Sequence, residues 1–497
     1  MLATHHNHPA PWKLAFRSSK TFVTWVVAIA CFTDVFIYGM IVPILPIVLK
    51  TRVSVPEEDL QQWMSIMLAA FGGGIFFGSR ESATLKPTAI FGYFADRSSS
   101  RQLPFMIGLL ALGGTTVVFW FARTVASLVI ARALQGLSAA VVWTVGMALV
   151  VDTVGKDQVG AAMGYVSMAL TVGTVFGPFI GGIMLSRVGY HSVFLLAIAL
   201  IVVDISLRLV MVEQKTAAKW LPIKTEESSG LLDSPAGAGC VGYSTLGDQD
   251  SASSLCPPDD VLIESPGKER GEPDSSGKAT SVPGIVRLIC SGKLMVVLVA
   301  TVVDAILYSS FDTVLPLYVM KTFDWGPMGI GLCFLPLFAP SFASPWIGDA
   351  VDRLGALQIA FIGFLLDCPT FLLFQLVTEN TIQHQALLVV FLLLAGAAST
   401  LQMVSLMVEV GRVTERYERE YPGIFGHQGG TAQAYGLFNV AWSGGQVLGP
   451  LMAGLLVDQA GWATMVSTFG VMSGGIAVMI ALSDRKVRGG LWEETRG

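Results

Sequence analysis

The chain has 497 residues, of which 53% are hydrophobic and only 13% charged, with a net charge of −5 and a mean hydropathy of +0.63. A soluble domain carries roughly 25% charged residues, so this composition excludes an ordinary soluble fold and places most of the chain in a lipid bilayer. The small net charge, without a basic stripe, gives nucleic acid no footing as a partner.

The first twenty residues (MLATHHNHPAPWKLAFRSSK) are polar and lack the apolar core of a cleavable signal peptide. They are expected to form a cytoplasmic tail (1–20), with HHNH a flexible stretch rather than a metal site. Six apolar runs follow, at 21–49, 60–79, 103–121, 125–151, 159–185 and 191–212, each able to cross about 30 Å of hydrocarbon as a helix. The stretch 213–285 is rich in Ser, Pro, Gly, Asp and Glu and is expected to be a disordered linker, since it holds too little apolar surface to fold. Six further runs occupy 293–320, 327–347, 354–376, 386–410, 434–457 and 462–482, before a short tail at 484–497. The expected fold is all-α: a polytopic membrane protein of twelve helices, here spans 1 to 12, in two pseudo-symmetric six-helix bundles at 21–212 and 286–483. The six cysteines read as free thiols.

Orientation follows the distribution of Lys and Arg. With the N-terminus inside, 23 of the 31 fall on inner segments and five on outer loops. Both termini and the linker are therefore expected in the cytoplasm. RESATLKPTA (80–89) separates span 2 from the segment after it, with no counterpart in the second half; it is a lengthened loop or a splicing artefact.

The two halves repeat each other. DVFIYGMIVPILP from Asp34 returns as DAILYSSFDTVLP from Asp304, GYFADR from Gly92 as GDAVDR from Gly348, and GPFIGG from Gly177 as GPLMAG from Gly449. The three pairs stand in the same order and at nearly the same separation along the chain. A duplicated apolar unit with charge at matching places marks a secondary transporter built from two parallel repeats.

An ionised side chain at mid-bilayer costs about 2.5–3.5 kcal/mol on insertion scales, so each one needs a reason. Asp34, Arg132, Asp204, Arg208, Asp304, Asp312 and Asp367 lie well inside apolar runs. Asp204 and Arg208 are four apart and neutralise each other as a structural pair. Asp304 and Asp312 are eight apart, about 80° round a helix, and are expected to face one cavity. Arg132 lies at a depth close to that of Asp312, its expected partner, with Asp34 second. Low dielectric disfavours charge, so a carboxyl group held there can take up and release a proton, and an approaching Arg reverses that preference. The alternative is a set of interhelical pairs that only fix packing. Asp367 has no repeat partner. Tyr38, Trp143, Tyr308, Phe311 and Trp442 would suit a greasy or cationic ligand, although any one of them also reads as a packing aromatic.

GYFADRSSSR, holding Gly92, Asp96, Arg97 and Arg101, resembles the loop between helices 2 and 3 of the major facilitator superfamily, and ARALQG (Ala131 to Gly136) resembles its helix-4 motif. The order Gly164, Gly173, Gly177-Pro178, Gly181-Gly182 is similar to the motif that marks its antiporters. The resemblance spans the chain outside the tails and linker and is nearest to twelve-helix drug:proton antiporters and vesicular amine transporters. It implies alternating access by rocking of the two halves. Asp34 and Asp312 match acidic positions of the amine transporters in helices 1 and 7, and Asp152 matches a motif acid at the end of helix 4. The chain departs from the pattern where the helix-2 lysine is missing from LAAFGGGIFFG, where the helix-11 acid is Asn439, and at Ser99 in place of a glycine.

The function expected is proton-coupled antiport, exporting a small amphipathic or hydrophobic organic compound. The alternatives are an uptake carrier or uniporter and a non-transporting sensor. The substrate and proton sites would be Asp34, Tyr38, Arg132, Asp304, Asp312 and Asn439. The cytoplasmic latch would be Gly92, Asp96, Arg97 and Arg101 opposite Gly348, Asp352 and Arg353. The sequence contains no nucleophile–base pair, metal cluster or phosphate loop, so no enzyme, cofactor or metal is expected. The protein is expected to act as a monomer with its organic substrate, protons and the bilayer as partners. The plasma membrane is the first expectation for its location, with a vacuolar or vesicular membrane second.

Overall fold

Lipid offers no hydrogen bonds to a peptide group, so an apolar chain that crosses it must satisfy its backbone internally as a helix. The computed structural model describes residues 12–83, 102–154, 159–212, 292–421 and 431–483, and among them all regular structure is helical. Ten helices are long and apolar enough to cross a membrane, and a shorter apolar one covers Phe105–Phe121. The longest, Thr431–Ser483, breaks at Gly461, where φ is 81°. Only glycine adopts that backbone without strain, and the break separates spans 11 and 12. The count among the described residues is therefore twelve, as the hydropathy pattern predicts.

Span 1 is Lys20–Thr51, with a 3₁₀ turn at Val42–Ile44 that holds Pro43. Spans 2 to 6 are Leu60–Ala83, Gln102–Phe121, Val125–Val154, Val159–Arg187 and Tyr190–Val210. Span 7 is Gly292–Phe323, span 8 Pro327–Leu354, span 9 Ala356–Leu376 and span 10 Ile382–Glu420. Two bounds differ from the sequence reading. Span 8 continues as the helix Ser344–Leu354 after a 3₁₀ turn at Ala339–Ala343, a break caused by Pro336 and Pro340, so GDAVDR lies on a helix. Span 10 continues past 410 to Glu420, and this extension carries an exposed Arg419–Glu415 contact of 3.5 Å and an Arg412–Asp352 contact of 2.8 Å. Charge ends an apolar run without ending the helix. Residues 1–11, the linker 213–285, the end of the 80–89 insertion and the tail 484–497 lie outside the described residues, although span 2 stays helical to Ala83.

The duplication read from the sequence holds contact by contact. A β-carbon on Gly173 would lie 3.0 Å from the Phe32 carbonyl oxygen, and one on Gly177 would lie 2.8 Å from that of Phe36. In the second half, Gly445 meets the Val302 carbonyl oxygen at 2.5 Å and Gly449 that of Ile306 at 2.7 Å. These are the same pairs, carried from spans 5 and 1 to the corresponding positions of spans 11 and 7. In each half the fifth helix lies on the first, at a separation that only glycine allows.

The halves meet near the face that carries the loops between spans 1 and 2 and between spans 7 and 8. Gly182 of span 5 touches the backbone of Pro327 and Gly331 at the start of span 8. Gly454 of span 11 touches Ser65 and Gln61 at the start of span 2, the equivalent contact in the other repeat. Gln61 Nε2 also donates to the Thr313 carbonyl of span 7 at 3.4 Å. This face is closed.

Candidate functional site

Just inside the closed face, spans 1, 2, 4 and 7 bring a charged network together. Span 4 can approach span 2 closely because Gly74 and Gly136 face each other's backbone. Arg132, fully buried, is thereby set over two rings, with its guanidinium carbon 5.1 Å from the centre of Tyr38 and 4.9 Å from that of Phe71. One of its N–H groups donates to Gln135 Oε1 at 3.3 Å, and Gln135 in turn donates to Thr116 Oγ1 at 3.3 Å. Among the described residues, Nε and Nη2 have no hydrogen-bond partner. A buried guanidinium left in this way costs several kcal/mol in principle, and the two ring faces offset part of that by cation–π attraction.

Tyr38 joins the halves. Its hydroxyl donates to Asp312 Oδ2 of span 7 at 2.8 Å, while its ring carries Arg132. Arg132 lies within the electrostatic reach of Tyr38, Asp312 and Asp34. Neither carboxylate pairs with it directly, so the expected Arg132–Asp312 ion pair is corrected to a relay through Tyr38. Depth indicates the neighbourhood, but not the ring standing between. Asp34, also buried, accepts from Trp143 Nε1 of span 4 at 2.9 Å.

Three expected members lie elsewhere. Asp304 does not share a cavity with Asp312. It is buried and turned into the second half, where Ser399 Oγ of span 10 donates to Oδ1 at 3.3 Å. Asn439 is exposed on span 11 and precedes by ten residues the point where Gly449 accepts from Ser310, about 15 Å along the helix. It does not reach the Arg132 network. Phe311 packs inside the second half against Phe371 and Phe374, both at 5.4 Å. Tyr308, at the repeat position of Tyr38, stays by the interface with Trp442 at 5.9 Å and Phe338 at 5.5 Å.

The antiporter-type glycines split by role. Gly173, Gly177 and Gly181 face span 1, Gly182 faces span 8, and Gly164 faces open space, while Pro178 lies against Gly39 of span 1. Of the latch, Gly92, Asp96, Arg97 and Arg101 lie outside the described residues, as does the Asp152 side chain. Gly348 has open space around it, Arg353 is exposed, and Asp352 is bonded to Arg412 within its own half. Asp204 and Arg208 form the expected structural pair at 3.9 Å, with the guanidinium over Phe105.

The comparisons agree with this architecture. The family model for the Major Facilitator Superfamily matches residues 27–411 and, again, 297–494. The chain is 32% identical over 466 residues to the uncharacterized MFS-type transporter C18.02 of Schizosaccharomyces pombe, covering 93% of this chain and 95% of that one. It is 25% identical over 289 residues to the multidrug resistance protein MdtG of a Rahnella strain, covering 58% and 66%. Among solved structures, nucleoside transporter NupG superposes with a TM-score of 0.59 at 12% identity, over 93% of this chain and 98% of that one, a likeness of fold alone.

Proposed function

This chain belongs to the Major Facilitator Superfamily and is a secondary transporter, not an enzyme, and we propose that it is a proton-coupled antiporter that exports a small amphipathic or hydrophobic organic compound. The observation that carries this reading is the Tyr38–Asp312 bond across the two halves, with Arg132 on the ring of the same tyrosine. A hydrogen bond to an ionised carboxylate is roughly twice as strong as one between neutral groups. Ionised Asp312 therefore holds span 1 to span 7 and keeps the face closed. A proton on Asp312 weakens that bond, and so does a substrate that takes the carboxylate or the tyrosine hydroxyl for itself. The carrier without either ligand stays locked. That rule makes exchange obligatory, because each half-cycle needs a proton or a substrate to free the face.

The antiporter-type glycine order of span 5, the helix-1 and helix-7 carboxylates and the relation to a multidrug resistance protein support export over uptake. On this reading the closed face is the outer one and the membrane is the plasma membrane. The test is transport in sealed proteoliposomes under an imposed pH gradient, screened over lipophilic cations, neutral amphiphiles and organic anions. At least one class should move against its gradient in exchange for protons. Movement of that class at the same rate without the pH gradient would overturn the coupling.

A further inference from the structure

A second set of buried carboxyl groups lies away from the Arg132 network, inside the C-terminal half. Asp304 of span 7 accepts from Ser399 at 3.3 Å, and Asp367 of span 9 accepts from Gln402 Nε2 at 2.7 Å. The two donors are three residues apart on span 10, a rise of about 4.5 Å on one helix face. They therefore present the two carboxylates to adjoining positions, and Asp304 lies in the field of Asp367. Among the described residues, each carboxylate keeps one oxygen without a hydrogen-bond partner, Oδ2 of Asp304 and Oδ1 of Asp367, and so does Gln402 through Oε1. The bond from Gln402 Nε2 to Asp367 fixes the amide, so its buried oxygen is held within one amide group of the Asp367 carboxylate. One turn further on, Ser405 Oγ likewise has no hydrogen-bond partner among the described residues. Asp304, Asp367, Gln402 and Ser405 are all 2% exposed or less.

The surroundings offer no positive charge to balance this cluster among the described residues. Tyr308, one turn along span 7, feels both Asp304 and Asp312. Cys368 follows on span 9 against Gly474 of span 12. Glu409 is buried further along span 10, and Arg412 beyond it is engaged by Asp352. Two ionised carboxylates in so low a dielectric repel each other strongly. Two neutral ones would each carry a hydroxyl hydrogen, with the Gln402 oxygen the one unpartnered amide acceptor in the cluster.

We propose that Asp304, Asp367 and Gln402 form a second cation site, separate from Arg132, Tyr38 and Asp312, that takes a small hard monovalent cation, the proton or Na⁺. An all-oxygen donor set of carboxylates and an amide selects hard ions. Three or four oxygens fall short of the six to eight that Ca²⁺ gathers. The site depends on no part of the export reading, because it lies within one half rather than between the two.

The test uses the full-length protein purified in detergent and needs no organic substrate. Binding of ²²Na⁺ is measured in alkaline buffer, and proton uptake is measured with a dye in weakly buffered, sodium-free solution. If the ion is Na⁺, binding saturates in the wild type and falls at least about tenfold in Asp304→Asn and in Asp367→Asn. If the ion is the proton, ²²Na⁺ does not bind, and each variant takes up one proton fewer than the wild type on acidification. Gln402→Met keeps both carboxylates and is read where the aspartate variants do not fold. It should weaken ²²Na⁺ binding about tenfold, or move the proton uptake by about one pH unit, the equivalent change. Absence of ²²Na⁺ binding in the wild type, with proton uptake identical in wild type and variants, would overturn the proposal.

Discussion

Tyr38 of span 1 and Asp312 of span 7 are joined by a 2.8 Å hydrogen bond, and through it the first helices of the two repeats hold each other at the closed face. Tyr38 also has a repeat counterpart, Tyr308, at the equivalent place in span 7. The equivalent tyrosine also turns to the other half, but to the neutral hydroxyl of Thr174 in span 5 and not to a carboxylate. The coupling device is therefore asymmetric, although the scaffold that bears it is symmetric.

Asp312→Asn keeps the side-chain size and an oxygen acceptor but removes the charge. The bond from Tyr38 falls from the charge-assisted range of about 1.5–3 kcal/mol to about 1 kcal/mol. Substrate movement should continue down its own gradient while pH-driven accumulation is lost. Proteoliposome flux with and without the pH gradient checks this; accumulation at the wild-type level would remove Asp312 from the mechanism.

Arg132 acts on Tyr38 through charge over a ring, an interaction worth about 0.5–2 kcal/mol when desolvated. Arg132→Lys should keep part of the coupled rate, since it keeps the charge but loses the planar stack on Tyr38 and Phe71. Arg132→Gln should bind substrate yet fail to couple its movement to protons. Comparison of binding by tryptophan quenching with pH-driven flux separates the two effects, and uphill transport at full rate by Arg132→Gln would leave the arginine a packing role only.

The glycine contacts predict paired effects in the two halves. Gly177→Ala places a methyl 2.8 Å from the Phe36 carbonyl oxygen, and Gly449→Ala places one 2.7 Å from that of Ile306. Both contacts are with rigid backbone, so each substitution should cost about 1–3 kcal/mol. Gly164→Ala meets open space and should cost nothing, or stabilise slightly through helix propensity. Thermal unfolding in detergent reads all three. A Gly164 variant as unstable as the other two would show that the loss is not caused by these contacts.

The Asp352–Arg412 contact is 2.8 Å long and exposed, with Asp352 at 74% and Arg412 at 36%. An exposed pair contributes about 0–1 kcal/mol and is screened by salt. Asp352→Asn should therefore change thermal stability little, and less still at high salt. A large loss of stability at any salt would mean that the contact anchors span 8 to span 10.

Much of this architecture is legible from patterning alone. Apolar run lengths mark the spans because lipid imposes one helix length on all of them. The sequence repeat, followed from GPFIGG to GPLMAG and from Asp34 to Asp304, leads to the same glycine–carbonyl pairs in both halves. Rotation about each helix is the part that does not follow. Span 7 is covered by helices on both sides, so a turn of about 80° between Asp304 and Asp312 is enough to send one to span 10 and the other to span 1. Depth likewise places Arg132 beside Asp312 without revealing that Tyr38 intervenes. Asp367 carries no signal of its partner, because Gln402 is a neutral amide in an apolar run, and such residues stand out less than charges. The ends of helices are blurred for a related reason: Arg412 and Arg416 interrupt hydropathy on span 10 but not the helix.

The central claim is that the charge on Asp312 keeps the face closed. It is tested most directly by the distance between nitroxide labels at Glu58→Cys and Asp324→Cys, two loop positions on either side of that face, in a chain whose own six cysteines are replaced by serine. Measured by pulsed electron resonance in detergent, the distance should be short at alkaline pH and lengthen on acidification. With Asp312→Asn in the same background it should be long at both. A distance that stays short in the Asp312→Asn protein, or that ignores pH in the parent chain, would contradict the account.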